Sequence, residues 1–154
     1  MRIRSIMRAV YPDACHQDWQ AQLEWVDRQP STAKEDWVVV VGHHPIYAVT
    51  SKGENERTDM QATLGRILRK HKNVDMYVCG HIHNFQHIRK PGDTIDYVIN
   101  SSPSLSRKKV KAIDGTQFCS GEEGFSLISA DKRQLVLRMI DKDGKVLHEV
   151  VRNK

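Results

Sequence analysis

The chain has 154 residues, of which 39% are hydrophobic, and a formal net charge of +5. That length suits one domain with a real core, and no segment approaches the roughly 20 apolar residues of a membrane span. Arg2, Arg4 and Arg8 give a basic start without an apolar run behind it, so the opening residues do not read as a signal peptide.

The positive charge concentrates at residues 66–72 and 107–111. A helix end complementing its dipole and a solvated loop account for both. No recognised binding motif accompanies them, and no nucleic-acid partner is expected.

Trp19, Leu23 and Val26 fall at helical spacing, which predicts an amphipathic helix over residues 17–28 that Pro30 terminates. Trp19, Trp25 and Trp37 read as packing residues. Residues 37–41 form a continuous apolar run, the pattern of a strand covered on both faces. Residues 48–57 are polar and read as a mobile loop. Met60, Leu64, Ile67 and Leu68 mark a second helix, with Thr58 or Asp59 as its cap. Residues 76–79 are the next strand.

Beyond residue 88 the pattern shifts to strands and loops. Strands are predicted at 94–100, 125–129, 134–140 and 146–151, with Asp143-Gly144 as a hairpin turn between the last two. Asp141 and Asp143 could suggest a calcium loop, but its other ligand positions have no counterpart. Residues 101–123 read as a long polar loop, which in a compact domain is functional or disordered. Ser101, Ser102 and Ser104 lie in it without the Gly-x-Ser-x-Gly elbow of a nucleophile. Cys15, Cys79 and Cys119 have no metal-like spacing. Cys79 reads as a core residue, while Cys15 and Cys119 could pair in an exported protein.

Two blocks carry the chemistry. Gly42-His43-His44-Pro45 ends the first apolar strand run and Gly80-His81-Ile82-His83 ends the second. Histidines so placed converge at the carboxyl edge of a sheet, where open α/β folds build their sites. Neutral imidazole is the commonest side-chain metal ligand. Glycine before each first histidine permits close backbone approach.

VVVVGHHPIY and YVCGHIHNFQHI resemble, in order, the last two sequence blocks of the calcineurin-like metallophosphoesterases, in particular the small, tartrate-resistant purple acid phosphatases. The resemblance begins near Tyr11. It implies an atypical leader over residues 1–10 and, over 11–154, the C-terminal half of a catalytic domain. The family's Asp-rich, Asp/Tyr and Asn-His blocks have no counterpart in the chain. The implied fold is α/β (α+β): the C-terminal half of a double-sheet sandwich with flanking helices.

The same resemblance implies metal ligation by His43 and His81 at an exchangeable divalent ion and by His83 at a second, ferric one. His44 would shape the pocket. Asn84 and His87 would orient ligands through hydrogen bonds, His87 standing where many relatives have Arg. Lys52 aligns with a substrate-proximal histidine and reads equally as a phosphate-attracting charge or a solvated loop lysine. The family carries two metal ions, iron with zinc, manganese or iron. Three histidines without carboxylates are expected to hold at most one ion, weakly.

The implied activity is hydrolysis of phosphate monoesters by a metal-activated water. A phosphodiesterase or nucleotidase, and a catalytically incompetent fragment, remain open alternatives. The expected partners are a phosphate ester and either a missing N-terminal half or a second copy of the chain. The whole protein is expected to be exported.

Overall fold

A computed structural model describes residues 17–50, 54–101, 105 and 110–154. Helix α1 (Trp19–Thr32) leads into strand β1 (Val38–Val41). A second helical segment runs as α2 (Glu54–Met60), a π-helical stretch (Gln61–Gly65) and a short α3 (Arg66–Leu68). Seven strands follow: β2 (Val74–Cys79), β3 (Phe85–Ile88), β4 (Asp96–Ile99), β5 (Thr116–Ser120), β6 (Gly124–Ala130), β7 (Gln134–Asp141) and β8 (Val146–Asn153).

The strands form two sheets. One has the order β1-β2-β4-β3-β5, with β1, β2 and β4 parallel and β3 and β5 antiparallel to their neighbours. The other is the antiparallel meander β6-β7-β8. Alternation along the strands divides the core in two. Tyr77, Cys79, Tyr97 and Ile99 face the helices and pack with Leu68, Ile46, Val26 and Leu64. Met76, Phe85 and Val98 face the second sheet and meet Leu135, Leu137, Met139 and Val150. The result is a mixed α/β fold of two packed sheets with helices on one outer face.

Several local expectations change. Pro30 lies inside α1, and the helix runs on to Thr32 before Ala33 turns extended. Its buried ring and the amide of Asn73 donating to its carbonyl at 2.8 Å hold the turn in place. The inner face of α1 is Leu23, Val26, Asp27 and Pro30. Trp19 and Trp25 therefore stand 46% and 53% exposed instead of packing.

Thr58 and Asp59 are interior helical residues, because the helix already includes Glu54. Residues 54–57 of the expected loop are thus helical. The run at 37–41 is covered on both faces as expected, Val38 and Val40 packing on the helix side and Trp37 and Val39 against the second sheet, and only Val41, 75% exposed, escapes; among the described strands β1 lies at the edge.

β3 and β5 were not predicted. β3 is fully buried but contains Gln86 and His87, whose polarity hides it from an apolar pattern. The hairpin turn is present: Gly144 has φ +85°, and Asp141 Oδ1 accepts from the backbone N–H groups of Asp143 and Lys145. Cys79 is buried and its thiol is pushed up to about 12 by burial. Cys15 lies outside the described residues, so its suggested bond to Cys119 does too. No described helix is long and apolar enough to cross a membrane.

Candidate metal centre

The parallel ladder of β1 and β2 continues past both strand ends and aligns the two histidine blocks. Gly42 N–H donates to Val78 O at 3.0 Å and Gly80 N–H to His43 O at 3.1 Å. The Tyr77 hydroxyl donates to His44 O at 2.7 Å. A Cβ on Gly42 would lie 2.3 Å from that hydroxyl, so the close approach expected of Gly42 is real. Gly80 has open space around its Cα, and the same argument fails there.

His81 occupies the centre of a tight turn closed by Ile82 N–H donating to Gly80 O at 2.8 Å. Its φ of +69° lies in the strained region of such turns. His83 has φ +61°. The intervening Ile82 is buried in the helix-side core. A buried anchor between two left-handed residues thus exposes both imidazoles to the cleft.

The cleft has a volume of about 360 Å³, and its walls include His43, His81, His83, Asn100 and Ser101. His81 Nδ1 lies 3.2 Å from His43 Nε2. Without an ion between them one nitrogen must donate to the other. Ligand nitrogens of a tetrahedral zinc site sit roughly 3.3 Å apart, a spacing this pair already has.

His44 belongs to the same cluster. One nitrogen from each of His43, His44 and His81 falls within 4.8 Å of the others. Burial, followed by the like charges of His44 and His43, lowers the proton affinity of His81. That favours the neutral form a metal requires.

His83 Nδ1 is buried without a hydrogen-bond partner, an orphan of the kind a ligand would satisfy. Three imidazoles suit a borderline ion such as zinc, nickel or cobalt better than a hard one. The donor set present can therefore hold a metal.

Asn84 and His87 are both buried away from solvent. Asn84 accepts from Gln86 Nε2 at 2.8 Å. Gln86 in turn exchanges two hydrogen bonds with the backbone of Val49, tying the segment after the first block to β3. His87 points between the sheets, where it meets Asp96 at 2.8 Å and His148 at 2.9 Å. Neither of these partners belongs to the histidine cluster. Lys52 lies outside the described residues.

Sequence reasoning missed Glu56, 3.8 Å from His81 Nε2, because only the unforeseen first turns of the helix bring it close. It also missed Gln86, Tyr77 and Asn100, whose roles depend on strand register.

Two packed sheets flanked by helices, with imidazoles gathered at the carboxyl ends of parallel strands, define the class: the metallophosphoesterase fold. The chain belongs to the Calcineurin-like phosphoesterase family, which it matches over residues 3–85, just over half its length. That match takes in residues 3–10, set apart above as a leader.

Tartrate-resistant acid phosphatase type 5 of Sus scrofa is 28% identical over 137 residues, covering 83% of this chain and 39% of the relative. The chain thus spans about two fifths of that phosphatase. Among solved structures, GAP50, the anchor in the inner membrane complex of Plasmodium, superposes with a TM-score of 0.75 at 25% identity. It covers 87% of this chain and 42% of that one. Purple acid phosphatase PPD1 from yellow lupin (Lupinus luteus) shares the fold, with a TM-score of 0.67 at 19% identity over 86% of this chain and 28% of that one.

Proposed function

We propose that the chain forms the histidine side of the metal site in an exported phosphoesterase that hydrolyses phosphate monoesters. The observation carrying this reading is the gathering of His43, His44 and His81 nitrogens within 4.8 Å of one another beside a cleft that His43, His81 and His83 line. His43, His81 and His83 serve as ligands. His44 stands close enough to His43 and His81 to join them as a ligand of the same ion.

A bound divalent ion supplies polarisation of a phosphoryl oxygen and a lowered pKa for attacking water. The chain's own part is to hold neutral imidazoles in place and to receive the phosphoryl group in the cleft. In the whole protein iron would pair with zinc, manganese or a second iron.

Among the described residues no carboxylate joins the cluster, although Glu56 stands 3.8 Å from His81 Nε2. The isolated chain should therefore hold at most one ion, and p-nitrophenyl phosphate should be turned over far below ordinary enzyme rates. Elemental analysis after dialysis against zinc tests the reading. Measurable zinc, at no more than one ion per chain, that is lost in His81→Ala is expected. Zinc content unaffected by His81→Ala would overturn it.

A non-catalytic role is favoured by a different observation, the likeness to GAP50, a protein described as an anchor. Comparing p-nitrophenyl phosphate with bis-p-nitrophenyl phosphate on the whole protein separates monoesterase from diesterase. Activity on neither supports the non-catalytic role.

A further inference from the structure

The wall of the cleft opposite the first histidine block belongs to neither histidine motif. β4 pairs with β2 so that Ile99 stands level with Cys79. The next residue, Asn100, stands beside Gly80, one position from His81. Its backbone N–H donates to Cys79 O at 2.8 Å, which fixes it to the end of β2. The parallel strands β1, β2 and β4 thus deliver His43, His81 and Asn100 side by side at their carboxyl ends.

A contact from the other sheet sets the side chain of Asn100. Ser126 on β6 donates its hydroxyl to Asn100 Oδ1 at 2.9 Å. With Oδ1 held there, the Nδ2 group is the part left for the cleft, and no described residue takes a hydrogen bond from it. Ser101, also on the wall, has donated its hydroxyl hydrogen to Glu122 O at 2.8 Å, so it offers the cleft only lone pairs. Lone pairs repel a phosphoryl oxygen, whereas an amide N–H binds one, and more strongly when that oxygen is charged.

We propose that Asn100 is a phosphoryl-binding residue, its side-chain amide oriented by Ser126 to donate to a substrate phosphoryl oxygen beside the histidine cluster. This rests on the metal-site reading above. Asn100 supplies a directional neutral donor, which adds affinity for the phosphoryl group without competing with the imidazoles for metal.

The test uses the full chain loaded with zinc and titrated calorimetrically with inorganic phosphate, as wild type, Asn100→Ala, Asn100→Asp and Ser126→Ala. Zinc content should be the same in all four. Phosphate affinity should fall about tenfold in Asn100→Ala, further in Asn100→Asp because a carboxylate repels the anion, and by an intermediate factor in Ser126→Ala.

No zinc uptake by the wild type would overturn the metal reading and this inference with it. Zinc uptake with equal phosphate affinity in wild type, Asn100→Ala and Asn100→Asp, or with no phosphate binding at all, would overturn this inference alone. Should both Asn100 variants fail to fold, Ser126→Ala decides, since an unchanged phosphate affinity there would also overturn it.

Discussion

At the scale of single residues, the position that governs the first histidine block is Gly42 and not a histidine. A methyl group there collides with the hydroxyl of Tyr77, the same hydroxyl that holds the carbonyl of His44. Gly42→Ala should destabilise the fold by about 1–3 kcal/mol. Tyr77→Phe removes the colliding oxygen, so the cost of Gly42→Ala should shrink in that background. Urea unfolding of the two single variants and the double variant measures this. An equal cost in both backgrounds would show that the contact does not limit the site. The meeting of His43, His81 and His83 at one cleft was legible in the sequence because each histidine block ends an apolar run and begins with glycine. Gln86 and Asn100 were not, since their partners Val49 and Ser126 are brought near only by register and by sheet packing.

At the scale of elements, the hidden strand β3 links the cleft to a buried polar network. Asp96 is fully buried and takes hydrogen bonds from His87, Arg89 and Arg152. Burial raises its pKa, but the hydrogen bonds from His87 and Arg89 outweigh that and hold the carboxyl below its usual range. His148, stacked on Phe118 and bonded to His87, has its pKa lowered, first by burial and then by the charge of His87. Glu149 and Asp96 act in the opposite direction on it, more weakly.

Both groups give the same sign. The folded pKa of His148 lies below its ordinary 6.5, so its contribution is complete above that pH and is lost as pH falls through the folded value. Asp96 behaves likewise around and below 3.8. Stability of the metal-free chain should therefore fall on acidification in two stages. His148→Gln should flatten the upper one, leaving a share from His81, whose shift has the same direction. Urea midpoints from about pH 8 to pH 3 measure it. Stability that rises between about pH 6.5 and pH 5 would refute the sign. These elements escaped the sequence reading because a buried strand whose polar side chains are paired looks like a loop.

At the scale of the whole molecule, the double-sheet architecture was foreseen from two short motifs. The edge position of β1 among the described strands was not, because a run of valines carries no information about which strand lies beside it. Among the described residues no strand pairs with the outer edge of β1, and with Val41 open to solvent that edge is a template for another strand. Ile128 on the edge strand β6 and Phe125 and Leu127 beside it are also exposed. We expect self-association on the order of micromolar concentration, weakened by Val41→Lys, which places a charge on the edge. Sedimentation velocity checks both. A monomer at all concentrations, or association indifferent to the lysine, would show that this edge does not mediate contact.

The left-handed backbone at His81 and His83 also bears on how fold and chemistry trade against each other. An L-residue in that conformation costs about 1–2 kcal/mol, a penalty glycine escapes. The histidines thus sit where they weaken the chain, and selection for stability alone would replace them. His83→Gly should unfold at a higher temperature than His83→Ala, reversing the order usual within regular secondary structure. A melting point for His83→Ala at or above that of His83→Gly would mean that the turn carries no such burden.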